Sequence, residues 1–302
     1  MKQLYKEFFI LLFAFFAFVF FVEWRVKDVN APLDRLFLQQ SQKPLASVLI
    51  IGNSHTGVLN DVSDTVFLQN SINMSLSNLE LEDRYKVLQY ILKGTNIKTV
   101  ILAMDPDQLG HNLSTNSYDA QLHKYGFALH YNTFGNRILS NLNFFRLRMN
   151  VNDLIKTLVK GANDDTVKIN FIPFTNKKRG DKEACKKRAQ EHSVYNYKID
   201  NNTKNLVFLK KIIDVCKEKK IQLLLLQTPT PVCYSEIYYN DNMKVATEKI
   251  DSIANENKIV YLNYFHNPNF TDSDFADYDH LNQNGSNKLL NLLKDQFYLP
   301  IK

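Results

Sequence analysis

The sequence predicts a three-layer α/β/α sandwich with a mainly parallel five-stranded sheet, preceded by an N-terminal transmembrane helix. Two observations lead to this prediction. Short aliphatic runs alternate with longer segments of helical periodicity, which is typical of parallel sheets covered by helices. A continuous apolar run at the amino terminus stands apart from this alternation. With 302 residues, of which 45% are hydrophobic and 23% charged, the chain is long enough to bury a full core.

The amino terminus carries the segment predicted to enter a membrane. Residues 8–22 are an unbroken apolar run of 15 residues, preceded by Lys2 and Lys6 and followed by Arg25. We expect residues 1–30 to form an uncleaved signal anchor and its juncture, because no small-x-small cleavage site follows the run. A cleaved signal peptide is the alternative. Positive charges flank the run on both sides, so the positive-inside rule leaves its orientation open.

The α/β domain is predicted over residues 45–302, with an insertion at about 106–200 where the alternation loosens. Aliphatic runs that end in glycine or polar residues indicate buried strands. Such runs lie at residues 47–51, 65–68, 98–104, 222–227 and 259–262. Apolar residues three and four apart indicate amphipathic helices. Helices are predicted at 79–93, 203–219, 241–257 and 284–297, with helical fragments at 150–159 and 182–190 inside the insertion.

Charge and motif composition argue against a nucleic-acid-binding protein and against a cofactor-binding protein. The chain has 37 basic and 31 acidic residues, a mild excess that suits an acidic envelope polymer or an anionic lipid surface. The basic cluster at 177–188 has no interleaved aromatic residues, so we interpret it as a solvated face and expect no nucleic-acid partner. The glycine-rich phosphate-binding motifs are missing from the sequence, and we expect no cofactor.

The three cysteines, Cys185, Cys216 and Cys233, have no CxxC spacing and no histidine pair nearby, so we expect no metal site. Cys216 ends a predicted helix and Cys233 follows the next strand, which allows a disulfide between them if the domain is extracytoplasmic. The alternative is that each cysteine is a small buried apolar residue.

The loop after the first predicted strand holds a candidate nucleophile. Ligands gather outside the carboxyl ends of the strands in a parallel sheet, and the sequence there is Gly52-Asn53-Ser54-His55-Thr56. Glycine permits a sharp turn that holds Ser54 at the sheet edge. A serine in this position is also a common helix cap. We expect the neighbouring His55 to point elsewhere, as a structural or solvent-facing residue.

The loop after the last predicted strand holds a candidate acid–base pair. A serine hydroxyl needs an imidazole to accept its proton and a carboxylate to fix the tautomer of that imidazole. Asp277 and His280 are three residues apart, so one loop supplies both groups. Asp279 is the local rival for the carboxylate role, although the side chain of an immediate neighbour tends to point away from that of His280.

Together, these two loops resemble the blocks of the SGNH/GDSL hydrolase superfamily. Ser54 lies in a GNSH block after the first strand, and His280 lies in a DxxHLN block after the last, in the order of the family. The resemblance covers residues 45–300 apart from the insertion. It implies that Ser54 is the nucleophile, His280 the general base and then acid, and Asp277 the orienting carboxylate, on a flavodoxin-like α/β/α fold.

The same resemblance implies an oxyanion hole, which this sequence carries in altered form. Residues 73–78 lie where the family has its glycine block, and there Ser77 is the candidate for the backbone amide, with Asn73 nearby. The asparagine block after the third strand is missing, and Asn112 is a candidate substitute. Because losing one oxyanion donor typically costs about 100- to 1000-fold in rate, slow or absent catalysis is an open alternative.

The anchor adds a resemblance to single-pass SGNH-like proteins that work beside membrane-bound O-acyltransferases in cell-envelope polymer modification, including teichoic-acid D-alanylation. It implies an extracytoplasmic esterase or O-acyltransferase, held at a bacterial cell membrane, that acts on acyl esters of an envelope polysaccharide or related glycopolymer. The loop 228–231, followed by Tyr234, is a candidate acceptor site or simply a rigid turn. The competing hypothesis is an inactive scaffold that binds a polymer or a membrane-bound O-acyltransferase.

Overall fold

The computed structural model of the chain describes residues 2–26, 43, 45–75, 79–110, 182–194 and 203–296. The chain divides into two compact units, made of residues 1–38 with 114–170 and of residues 39–113 with 171–302. The described part of the first unit is a helix, and the described part of the second unit is an α/β domain. The predicted bounds of the anchor, the domain and the insertion stay predictions.

The amino-terminal helix, α1, spans Lys2–Val26. Its stretch Tyr5–Val22 is apolar over 18 residues, which rise about 27 Å at about 1.5 Å per residue. This length is close to the roughly 30 Å of a hydrocarbon core, and its phenylalanine side chains are exposed. By length and composition, α1 has the properties of a membrane anchor, and a signal sequence would share them.

A parallel sheet of five strands organises the α/β domain. The strands are β1 (Val48–Ile51), β2 (Ser71–Asn73), β3 (Thr99–Ala103), β4 (Gln222–Gln227) and β5 (Val260–Asn263). Their order across the sheet is β2-β1-β3-β4-β5, and all the pairings are parallel. The predicted fold class, a parallel sheet flanked by helices, is therefore confirmed.

Helices connect the strands and cover the sheet. In the described part of the domain they are α2 (Ser54–Gly57), α3 (Thr65–Asn70), α4 (Leu81–Ile91), α5 (Asp107–Gly110), α6 (Lys182–Val194), α7 (Thr203–Glu218), α8 (Val232–Tyr238), α9 (Asp241–Asn257) and α10 (Gln283–Lys294). The helices α4, α7, α9 and α10 lie close to their predicted spans. The fragment predicted at 182–190 lies within α6, and the one predicted at 150–159 lies outside the described residues. The short helices α5 and α8 have no counterpart among the predictions, and α2 begins at Ser54, where the sequence allowed a helix cap.

The strand predicted at residues 65–68 is wrong, because these residues begin α3 and the strand starts later, at Ser71. Asp64 caps this helix by accepting a hydrogen bond from the backbone N–H of Phe67 at 2.8 Å. A cap of this kind stabilises a helix by about 0.5–2 kcal/mol. Phe67 is fully buried in the core, so the apolar run contributes its side chain from a helix instead of a strand.

One face of the sheet packs against the closing helix α10. Val48 and Ile50 of β1 share a core cluster with Leu289, Leu290 and Leu293 of α10, and all of them are almost fully buried. Burying each such side chain contributes about 1.5–3 kcal/mol. This cluster holds α10 against β1, and the loop in front of α10 consequently lies beside the carboxyl end of β1.

Gly52 directly follows β1 at a position where no side chain fits. A Cβ atom there would overlap the hydroxyl oxygen of Thr56 and the Cβ atom of Ala103 in β3. The requirement for glycine is therefore the close contact between this turn and β3, not the backbone freedom expected from the sequence.

Gly52→Ala is expected to lower the free energy of unfolding by about 1–3 kcal/mol, because the short side chains that it would overlap have little room to move aside. Gly57→Ala is the matched control, since a Cβ atom at Gly57 meets nothing within 4 Å and its φ of −59° is helical. Denaturant unfolding of the full chain in detergent compares the two variants. Equal stabilities would contradict the steric account.

A disulfide joins Cys185 of α6 to Cys233 of α8, and Cys216 is a buried free thiol. The pairing of Cys216 with Cys233, which the sequence left open, is not formed, and the alternative of a buried apolar residue holds for Cys216 alone. Cys216 lies in the core on α7, where burial raises the pKa of its thiol to about 12. The sequence pattern did not show that α6 returns from the insertion to lie against α8.

Thiol titration tests the disulfide directly. The denatured but unreduced chain should contain one free thiol, from Cys216, and reduction should release the other two. Cys216→Ala should leave no free thiol before reduction. Replacing both Cys185 and Cys233 by serine should lower the free energy of unfolding by about 2–4 kcal/mol. Three free thiols in the unreduced chain would rule out the pairing.

Candidate active site

Ser54, His280 and Asp277 come together at the carboxyl edge of the sheet. The hydroxyl oxygen of Ser54 lies 2.9 Å from Nε2 of His280. Nδ1 of His280 lies 3.0 Å from each carboxylate oxygen of Asp277. The three side chains form one hydrogen-bonded series from hydroxyl to imidazole to carboxylate, the arrangement in which an imidazole can accept a proton from serine.

Asn53 holds the turn that carries Ser54. Its side-chain oxygen accepts a hydrogen bond from the backbone N–H of His55 at 3.1 Å and caps α2. Its amide nitrogen donates to Oδ2 of Asp105, which follows β3, at 2.5 Å. The two contacts tie the serine turn to the neighbouring loop of the sheet, so the position of Ser54 depends on both strands.

Asp277 also builds the loop that carries His280. Its Oδ1 accepts hydrogen bonds from the backbone N–H groups of Asp279 at 3.0 Å and of His280 at 2.8 Å. Beyond the loop, Asn282 caps α10 by accepting the N–H of Gly285 at 3.0 Å. Asp277 thus fixes the backbone of His280 as well as its ring.

Asp279 lies closer to the imidazole than the sequence led us to expect. Its Oδ1 is 3.1 Å from Nδ1 of His280, so the expectation that its side chain points away is wrong. Its Oδ2 accepts a hydrogen bond from Nε of Arg188 in α6 at 3.3 Å. Asp279 is only 3% exposed, whereas the side chain of Asp277 is 32% exposed.

His55 belongs to the same group of side chains, contrary to the expectation that it points elsewhere. Nδ1 of His55 lies 3.3 Å from Asp105, and its Nε2 lies 3.7 Å from Oδ2 of Asp279. Its ring centroid is 5.1 Å from that of His280. Burial alone would lower the pKa of His55, but the hydrogen bond to Asp105 and the negative charges of Asp105 and Asp279 outweigh burial and raise the pKa to about 10. These surroundings favour the protonated form of His55.

The pKa values of the surrounding groups follow from the same contacts. Burial opposes charge on His280, but Asp279 and Asp277 raise its pKa above the ordinary value. Burial also opposes charge on Asp279, while His280 and His55 hold its pKa well below the usual range. Asp105 has a lowered pKa because the hydrogen bond and charge of His55 exceed the effect of burial. The site is a network of alternating charges in which each group depends on its neighbours.

The raised pKa of His55 makes stability depend on pH. Its ordinary pKa is about 6.5 and its pKa in the folded chain is about 10, so the folded state binds more protons between these values. The stabilisation is fully present below about pH 6.5 and is lost as the pH rises through about 10. The difference in unfolding free energy between wild type and His55→Gln should shrink across this range. A difference that stays constant would contradict a protonated His55.

Of the groups that could bind an oxyanion, the structure describes the backbone N–H of Ser54 and the side chain of Asn73. The backbone N–H of Ser54 is the first in α2, so it has no partner within the helix, and none lies among the described residues. Asn73 is buried, donates to the carbonyl oxygen of Thr56 at 3.0 Å and accepts from the N–H of Ser75 at 3.0 Å. These two contacts make Asn73 a support of the loop. Ser77 and Asn112 lie outside the described residues.

The loop 228–231 joins β4 to α8 and is buried. The hydroxyl oxygens of Thr228 and Thr230 have no hydrogen-bond partner within the described part of the chain. Tyr234 in α8 is also buried and stacks on Tyr238, with ring centroids 5.2 Å apart. The loop therefore holds two buried hydroxyls that no described residue satisfies.

His55, Asp279 and His280 form the one group in the described chain whose potential metal ligands lie close together, within 4.8 Å of one another. The same atoms already take part in hydrogen bonds and ion pairs, and a protonated imidazole nitrogen offers no lone pair to a metal. We therefore interpret the group as a charge network and assign no metal to it.

The sequence pattern did not reveal the roles of His55, Asp105 and Arg188. Asp105 follows the third strand, in the region where the resembled family has its asparagine block. An acidic residue directly after a strand that neighbours β1 was the available signal, because the two strand ends meet at the same sheet edge. Arg188 gave no such signal, since it reaches the site only through the position of α6.

Fold and site together define a class of protein: an α/β domain with a hydrogen-bonded Ser-His-Asp series at the carboxyl edge of a parallel sheet. No known family profile and no curated protein matches the chain. Similar solved structures include a candidate acylhydrolase from Bacteroides fragilis NCTC 9343, with a TM-score of 0.44 and 12% identity over 87% of this chain and 94% of that one. A GDSL-like lipase from Bacteroides thetaiotaomicron VPI-5482 has a TM-score of 0.42 and 12% identity over 87% of this chain and 95% of that one. At this identity and overlap, the likeness assigns neither a family nor a substrate.

Proposed function

We propose that the chain is a serine esterase or O-acyltransferase that acts on acyl esters of a cell-envelope polysaccharide or related glycopolymer. The observation that carries this proposal is the series from the hydroxyl of Ser54 through His280, 2.9 Å away, to Asp277 at 3.0 Å. The resemblance of the GNSH and DxxHLN blocks to the SGNH/GDSL hydrolases supports the same reaction class.

The reaction begins with attack by Ser54 on the carbonyl carbon of an ester. Because Nδ1 of His280 donates its hydrogen to a carboxylate, Nε2 keeps a lone pair and accepts the proton of the serine hydroxyl. The backbone N–H of Ser54 donates to the developing oxyanion. His280 then returns its proton to the leaving alcohol, and the acyl group remains on Ser54 as an ester.

The second half of the reaction decides between the two activities. Water as the acceptor gives a free acid, and a sugar hydroxyl gives a new ester, with His280 acting as the base in either case. A transferase has to exclude water from the acyl-enzyme.

A location outside the cytoplasm, with α1 as a single-pass anchor in a bacterial cell membrane, completes the proposal. The apolar stretch Tyr5–Val22 supports the anchor. The disulfide between Cys185 and Cys233 supports an oxidising compartment, because disulfides rarely persist in the cytosol. In that location a membrane-bound O-acyltransferase is a suitable source of acyl groups.

A scaffold without catalytic activity is the second candidate. Asp105 stands where the resembled family has its oxyanion asparagine, and a carboxylate would repel an oxyanion instead of stabilising it. In this alternative, the same edge of the sheet binds a polymer or a membrane-bound O-acyltransferase without forming an acyl-enzyme.

Labelling with a fluorophosphonate probe separates the two candidates. The full chain in detergent should be labelled at Ser54, and Ser54→Ala should reduce labelling to background. His280→Ala should slow labelling by about 100-fold or more, because general-base catalysis contributes about 10²- to 10⁴-fold. Ser252→Ala is the matched control, since Ser252 is exposed and bonded only to Glu256 on α9. No labelling of a folded wild type would favour the scaffold.

A further inference from the structure

The Nδ1 atom of His280 faces two carboxylates, where a single orienting carboxylate is sufficient for a triad. Asp277 lies 3.0 Å from this nitrogen and Asp279 lies 3.1 Å from it. Nδ1 makes its hydrogen bond to Asp277, and Asp279 lies against the same atom as an ion-pair contact from another part of the loop. The two acceptors differ in how they are held and in what else they contact.

Asp277 is held by its own loop, and Asp279 is held by side chains from other elements. The partners of Asp277 are the backbone N–H groups of Asp279 and His280. Asp279 is buried and contacts His55 after β1 at 3.7 Å and Arg188 of α6 at 3.3 Å. A buried carboxylate is costly without such partners. The charge of Asp279 depends on His280 and His55, which lower its pKa, and Arg188 adds an ion pair.

His55 is in turn fixed by groups on two sides. Asp105, in the loop after β3, lies 3.3 Å from Nδ1 of His55. The side-chain amide of Asn53 donates a hydrogen bond to Asp105 in turn. The opposite nitrogen faces Asp279, and the ring lies beside His280. Arg84, buried beneath the end of β3, also acts on the charge of Asp105. Charges therefore alternate from Asp105 through His55 to Asp279.

We propose that Asp277 and Asp279 both orient His280, and that His55 is a positioning residue that acts through Asp279. This inference rests on the proposed function, since orientation matters only for a base that serves Ser54. His55 has two effects in this arrangement. It keeps Asp279 charged and aimed at His280, and its positive charge balances the second carboxylate.

The balance between the two carboxylates and His55 determines whether His280 can act as a base. Two carboxylates without a nearby cation would hold His280 protonated, and a protonated imidazole cannot accept the proton of Ser54. His55 opposes this effect, because its charge lowers the pKa of His280 while Asp279 raises it. Removing His55 or Asp279 should therefore move the pH dependence of the enzyme in opposite directions.

Carboxylate variants measure how the orienting role is divided. Loss of a single orienting carboxylate costs about 10⁴-fold in kcat in a serine protease. We expect Asp277→Asn and Asp279→Asn each to cost far less, about 10- to 100-fold in hydrolysis of a short acyl ester, and the double variant to approach the full 10⁴-fold loss. Asp214→Asn, on the exposed face of α7, is the control. A full loss in Asp277→Asn alone, with Asp279→Asn near wild type, would overturn the proposal.

His55→Gln tests whether His55 acts through Asp279. Its cost in kcat should be larger in the Asp277→Asn background, where Asp279 is the only carboxylate left, than in the wild type. The acid limb of the pH–rate profile should move to higher pH in His55→Gln and to lower pH in Asp279→Asn. His266→Gln, at an exposed histidine, should leave the limb unchanged. The proposal would be contradicted if His55→Gln lowered kcat equally in both backgrounds. It would also be contradicted if the acid limbs of the His55→Gln and Asp279→Asn profiles did not shift in opposite directions.

Imidazole NMR of the full chain gives a readout that does not require activity. The ¹⁵N shifts of His55 should be those of an imidazolium at about pH 8, well above the ordinary histidine pKa of about 6.5, and Asp279→Asn should bring its titration to lower pH. A neutral His55 in the wild type would overturn the inference even if the enzyme is active. If His55 is charged but a fluorophosphonate does not label the chain, the charge network is supported and the proposed function is refuted.

Discussion

The site depends on the close parallel pairing of β1 and β3. Gly52 lets the turn after β1 pack directly against Ala103, so the loops that follow the two strands leave the sheet side by side. Asn53 then bridges these loops through its hydrogen bond to Asp105. The core cluster between β1 and α10 brings the loop of His280 to the same edge. A nucleophile and its base, separated by more than two hundred residues, meet because of these two packing contacts.

Burial decides the electrostatics of this edge. Asp105 and Asp279 are almost fully buried, and an unpaired carboxylate in such surroundings would become protonated. Each is paired with His55, and Asp279 also with Arg188, so the cost of burial is offset by charge-assisted contacts. The network resembles a structural ion-pair cluster in its energetics. It differs in that one of its members, His280, also contacts the candidate nucleophile.

Local sequence patterns predicted most of the fold because parallel strands and their covering helices have strong periodicity. They failed at residues 65–68, where a side-chain cap at Asp64 overrode an apolar run that suits a strand. Asp277 and His280 were found because one loop supplies both, and Ser54 was found because it follows a strand that ends at the same edge of the sheet. His55 and Arg188 were missed for the opposite reason, since their partners come from separate loops and from a helix whose position depends on tertiary packing.

The helix α6 is tied both to α8 and to the candidate site. Cys185 and Arg188 are three residues apart, so they lie on neighbouring positions of one helix face. The first is bonded covalently to α8, and the second bonds to Asp279 in the loop of His280. A covalent tie one turn from the ion pair limits how far Arg188 can move, and it thereby helps to keep Asp279 charged. The disulfide is in this way connected to the electrostatics of the base.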